Sequence, residues 1–169
     1  AYNANKDGDY RAASTYIEQA ILIEKSKVKD KTWRYRGEIY LNISRDSTLT
    51  MEYPNALRIS MESYLKATEL DIKGRYKDEI KLGLAQVQLG ANGKGISYYN
   101  TTSFDLAASS FDLAAEVART FDIVDTMAVY NSALCYEKAD MTDMAIERYR
   151  DCADIQYQVP NVFLFISTL

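Results

Sequence analysis

Cys135 and Cys152 are the only thiols in a chain that contains no histidine. A thiol acts as a nucleophile or metal ligand only where a base or cation holds it as thiolate. Each cysteine falls within a helical pattern at a site that favours a small apolar residue, so both are expected to be free, buried and inert. Without histidine, the commonest general base and metal ligand is missing. The carboxylate pairs Asp122/Asp125 and Asp143/Glu147 stand at helical spacing and read as caps or solvated faces, not as a metal centre. The glycines between 90 and 95 lack the preceding strand and the following Lys-Ser/Thr that a phosphate-binding loop requires. This inventory argues against an enzyme, and neither a cofactor nor a metal is expected.

Composition narrows the class further. Of the 169 residues, 47% are hydrophobic and 26% charged, which is ordinary for a folded domain. Two prolines and seven glycines are too few punctuators for a many-stranded sheet. Fourteen tyrosines supply large amphipathic wedges whose hydroxyls stay near water. The formal net charge of −4 argues against nucleic acid, whose phosphates demand a concentrated basic face. The Lys-rich run from Glu24 to Lys31 is the one local basic excess, and it reads as a solvated connection between helices. No stretch approaches the roughly 18 continuous apolar residues of a membrane span.

The elements follow from a recurring spacing. Ala133 stands three residues before Tyr136, a turn follows at Ala139-Asp140, and Ala145, Tyr149 and Cys152 recur at steps of four and three. That pattern describes two short amphipathic helices, each with a small residue where the other must come close. The same register appears from Ala1 and Ala4 to Ala13, Ile17 and Ala20, and from Gly95 and Tyr98 to Ala107, Phe111 and Ala114. In each case twelve residues separate the two small positions. Trp33, Gly37 and Tyr40 pair with Ser60, Tyr64 and Ala67, but here the separation is 23. The excess is assigned to a polar loop near 44–54, projecting from one edge, with Asn55 as the following N-cap. Residues 75–88 read as a helical extension that either continues into 90–100 as one long helix or breaks near Gly90-Ala91-Asn92-Gly93, where the clustered glycines favour a kink. Leu82-Gly83 is a competing alignment, set aside because it requires a second long insertion. Thr102 with Asp105 resembles a capping box.

The small-x2-aromatic, Ala-x3-aromatic and closing Pro160 pattern, with W-x3-G-x2-Y at Trp33 to Tyr40, resembles the tetratricopeptide repeat family. The stretches DKTWRYRGEIY, KATELDIKGRYKDEI and YYNTTSFDLAASSFDLA are similar to such proteins of Bacteroidetes-type bacteria, which often carry an export signal. The resemblance implies an all-α solenoid of antiparallel helix pairs wound as a right-handed superhelix, with about four repeats and a truncated fifth. It makes 1–169 a single repeat domain, with units near 1–29, 30–74, 75–125, 126–159 and 160–169. The absent initiator Met and the unpartnered NVFLFISTL, with Phe163 and Phe165, suggest a piece of a longer protein.

Family members bind extended peptides or partner helices in the concave groove. Carried onto this chain, the groove-facing places are Tyr2, Asn5, Arg34, Glu38, Leu41, Asn92, Ile96, Tyr99, Tyr130, Leu134 and Glu137. A carboxylate-gripping variant of the groove is disfavoured, because Glu38, Met127 and Asn131 stand where neutral or cationic donors would be needed. The expected function is a non-enzymatic scaffold for a protein or peptide partner. The alternative is an architectural segment whose groove is filled by its own chain or by an identical subunit through the C-terminal helix.

Overall fold

The computed structural model describes residues 1–155. Pro160, Phe163, Phe165 and the expected fifth unit at 160–169 lie outside the described residues. Among the described residues the chain is all-α, without strands. The helices are α1 (Tyr2–Lys6), α2 (Tyr10–Ile21), α3 (Glu24–Lys27), α4 (Asp30–Arg45), α5 (Ala56–Leu70), α6 (Lys77–Asn100), α7 (Phe104–Arg119), α8 (Thr126–Lys138) and α9 (Thr142–Asp154). The chain divides into two compact units, one ending at Gly90 and one beginning at Ala91. No helix is long and apolar enough to cross a membrane.

In the first unit the turn from α1 to α2 uses Gly8 at φ +80°, a left-handed conformation that glycine adopts without a Cβ clash. Asp9 then caps α2, its carboxylate accepting from the Ala12 amide at 3.1 Å. Helix α2 packs on α4, and α4 on α5. Ala13, Ile17, Ile39, Tyr40, Ile43, Leu49 and Ala56 form one buried cluster between them. Leu49 belongs to the segment expected to project as a loop. Instead that segment folds back: Leu49 is 3% exposed, and the Tyr53 hydroxyl lies 3.1 Å from Ser14 Oγ. An apolar residue in an otherwise polar insertion lowers its free energy by reaching the core, and the ten residues between α4 and α5 are long enough to return.

A close approach fixes how α4, α5 and the start of α6 meet. The Tyr64 ring lies against both Gly37 and Gly83, so closely that a Cβ at either position would collide with ring carbons. Ser60 Oγ donates to the Gly37 carbonyl at 2.7 Å, tying the same crossing with a buried hydrogen bond. Gly83, discarded in the sequence alignment, is therefore a second seat for the same ring. Asp71 leads into α6 by accepting from the Arg75 and Tyr76 amides at 3.0 and 2.7 Å. Asp78 and Glu79 in its first turn suit the positive end of the helix. No break occurs at Gly90 to Gly93: α6 is assigned as one helix over 24 residues.

In the second unit α7 packs on α8 and α8 on α9. Phe111 sits over Gly95, where a Cβ would lie 2.8 Å from the ring. Asp125 caps α8 by accepting from the Ala128 amide at 3.0 Å. Ala133, Tyr136, Ala145, Tyr149 and Cys152 are all buried, as their spacing requires. Asp140, at φ 56°, makes the turn between α8 and α9. The expected capping box at Thr102 and Asp105 is absent. Thr102 is left-handed at φ 58°, Ser103 occupies the N-cap without a side-chain cap bond, and Thr101 Oγ1 instead bonds back to the end of α6. Asn55 is likewise the N-cap of α5 by position but caps with no side-chain bond.

Each unit also contains a carboxylate clamp that the sequence reading missed. Glu18, next to Ile17, accepts from Tyr40 at 2.9 Å and from Arg36 Nε at 2.8 Å. Asp112, next to Phe111, accepts from Tyr136 at 2.8 Å, Ser132 at 2.6 Å and Arg148 Nε at 2.8 Å. In both, an acid one residue after the wedge meets the tyrosine three residues after the next helix's small position. Charge-assisted bonds of this kind fix the offset between neighbouring helices.

Candidate binding cleft

The eleven positions expected to face a groove fall into two chemically different sets. In the first unit they are largely engaged with neighbouring side chains. Tyr2 lies against Tyr35 with ring centroids 5.1 Å apart. Asn5 donates to Glu38 at 3.3 Å and accepts from Asn42 at 3.1 Å. Arg34, only 6% exposed, donates to Asp30 at 3.1 Å and Glu79 at 2.5 Å, and its guanidinium stands 3.5 Å from the Tyr76 ring centroid. Leu41 is buried. Burial, and then the neighbouring Glu79 carboxylate, push the Glu38 carboxyl above its usual range. A groove-facing place implies an Arg34 open to a ligand and dispensable for stability. Its burial corrects that: removing the guanidinium strands carboxylates gathered around it.

In the second unit the positions are open. Ile96 is 56% exposed, and Tyr99, Tyr130, Leu134 and Asn92 are half-buried. Glu137 is exposed and accepts from the Tyr149 hydroxyl at 2.6 Å, while Tyr130 meets the Tyr149 ring at 6.3 Å. Ile96, Tyr99 and Leu134 converge, and Phe111, Asn131 and Cys135 complete a cleft of about 170 Å³ around them. Asn92, Tyr130 and Glu137 do not line it.

Local structure explains the convergence. Ile96 and Tyr99 are three apart on α6, and Asn131, Leu134, Cys135 and Lys138 recur at steps of three, one and three on α8, which places each group on one helical face. Phe111 forms the floor because Gly95 lets its ring lie against the α6 backbone. The Lys138 ammonium stands at the rim, 5.8 Å from the Tyr99 ring and 5.6 Å from the Phe104 ring, and these two rings meet edge-on at 5.5 Å. Phe111, Asn131 and Cys135 were not among the sequence candidates. The three-residue step linking Asn131 to Leu134 was the available signal.

The cleft's chemistry is apolar. Asn131 is the one amide in the lining. Burial pushes the Cys135 thiol up to about 11, and Cys152 likewise to about 11, so both are neutral at physiological pH. Among the described residues, no cluster of cysteines and carboxylates is arranged to hold a metal ion. No protein-family model matches the chain, and a search of curated proteins finds no match.

Proposed function

We propose that the chain is a non-enzymatic binding module of tetratricopeptide type, a right-handed array of helix pairs whose second unit receives an apolar side chain from a peptide or helix of a partner protein. The cleft at Ile96, Tyr99, Phe111, Asn131, Leu134 and Cys135 carries this reading. An apolar cavity of about 150 Å³ is enough to hold one benzene ring, so 170 Å³ suits a single Leu, Met or Phe anchor. Asn131 offers the anchor's backbone one hydrogen-bonding group, and Lys138 at the rim favours an acidic neighbour beside the anchor. The repeat reading is supported by the ring seats at Gly37 and Gly95 and by the paired Glu18–Tyr40 and Asp112–Tyr136 clamps.

Peptide display against the purified chain, followed by anisotropy on the selected peptides, tests the reading. Binders are expected to share one apolar anchor with an acidic flank. Burying such an anchor contributes about 1.5–3 kcal/mol, so Ile96→Asp should weaken them at least about tenfold without altering helicity. Selected peptides that bind the variant as tightly as the parent would refute the site. A concentration-dependent dimer lost in the same variant would instead assign the cleft to a second copy of the chain.

A further inference from the structure

The connection from the end of α2 through α3 to α4 has a composition and exposure that the binding cleft does not use. Leu22 is 80% exposed, Val28 63% and Ile23 56%. Singly scattered aliphatic residues are ordinary on a surface, but here three open ones fall within seven residues, two of them adjacent. Between and beside them stand Lys25, Lys27, Lys29 and Lys31, all exposed. The two carboxylates of the segment are already engaged: Glu24 holds Lys27 at 3.1 Å, and Asp30 holds Arg34 at 3.1 Å. Lys25 and Lys29 have no ion-pair partner among the described residues. Lys31 faces the Tyr35 ring at 5.4 Å. Trp33 is held at the same place, its indole N–H donating to the Lys27 carbonyl at 2.7 Å.

We propose that this connection is a peripheral attachment site for an anionic lipid surface, with Leu22, Ile23 and Val28 entering the headgroup–acyl boundary and Lys25, Lys29 and Lys31 meeting lipid phosphates. Single aliphatic tips on a turn, an interfacial tryptophan and a local cluster of lysines are what such a boundary selects. Charge complementarity also orients the molecule. The chain carries a net −4, so its remaining surface is repelled by the anionic face that the basic connection attracts. An acidic protein would match the lysines, but Leu22 at 80% exposure presents a protruding tip, which inserts more readily into a fluid boundary than into a folded surface.

Flotation of the whole chain with vesicles decides the matter. Binding is expected to vesicles in which about one third of the lipid is phosphatidylglycerol, to fall with added salt, and to be far weaker on phosphatidylcholine alone. Each lysine near the surface is worth about fivefold in partitioning, so Lys25→Glu with Lys29→Glu should reduce binding at least about 25-fold. Leu22→Asn should reduce it about tenfold while leaving the salt dependence in place. Both variants alter exposed side chains, and an unchanged circular dichroism spectrum confirms the fold. Equal binding to neutral and anionic vesicles, or full binding by the doubly reversed variant, overturns the proposal. Retention on a polyglutamate matrix with no vesicle binding would also overturn it, in favour of an acidic protein.

Discussion

The two units place different chemistry at the positions expected to face a groove. Where the second unit leaves Ile96, Tyr99 and Leu134 around a cleft, the first has Arg34, Glu38 and Asn5 in contact with Asp30, Glu79 and Asn42. A guanidinium bonded to two carboxylates and stacked on an aromatic ring contributes to holding α4 against the start of α6. An apolar lining with one amide is incompletely covered, and its free energy falls further when a ligand displaces water. The first unit thus closes its side chains on internal ionic and amide contacts, while the second leaves an apolar lining open.

The ring seats give the sharpest way to break this comparison. Tyr64 is held between Gly37 and Gly83, whereas the Phe111 ring has Gly95 on one face. Overpacking a core costs about 1–3 kcal/mol, and more where the neighbour cannot move aside. Gly83→Leu is therefore expected to cost about 3 kcal/mol in urea unfolding and Gly95→Leu about 2 kcal/mol, with the ordering as the test. Equal or reversed losses would show that Tyr64 is free to shift.

Arg34→Ala probes the cohesive role of the first unit. Loss of one partner from a buried ion pair costs about 3–5 kcal/mol. Glu79 is half-exposed and water relieves part of that, so about 2 kcal/mol is expected. Leu134→Ala in the second unit should cost less than half as much, because its site is already open to water. If Arg34→Ala were neutral, the ionic cluster would be no more than a solvated face.

The smallest effect is the most diagnostic of burial. Glu38 titrates above the ordinary value of 4.5 in the folded protein. Between that value and its raised one, the folded state binds more protons than the unfolded state, so stability falls as pH rises through the window. Glu38→Gln should stabilise the protein at neutral pH, with the gain shrinking on acidification and vanishing below pH 4.5. Unfolding curves across that range check it, and a gain independent of pH would point to packing instead.

Much of the helical framework was legible in the residues. The pairs α4 with α5 and α8 with α9, the turn at Asp140 and the free, buried cysteines all follow from small and aromatic residues at local spacing. The candidate site was legible in half: Ile96, Tyr99 and Leu134 were named, while Phe111, Asn131 and Cys135 completed the cleft. The spacing marks Phe111 only as a ring between helices, because a pattern gives each side chain one face while a ring has two. The glycines near 90 left one long helix and a break both open, because isolated propensity penalises each glycine by about 1 kcal/mol. Ring contacts at Gly83 and Gly95 and burial of Leu84 and Val87 give the helix packing on either side of them.

Local spacing sets which helices pair and which positions are small enough for a neighbour's ring, since these depend on steps of three, four and twelve residues within one segment. Contacts between distant segments bury Arg34 against Glu79, 45 residues away, return Leu49 to the core, and leave the apolar lining at Ile96, Tyr99 and Leu134 open. Periodicity says which side of a helix avoids water. Which partner arrives to cover that side is settled by packing between distant segments, and no local pattern records it.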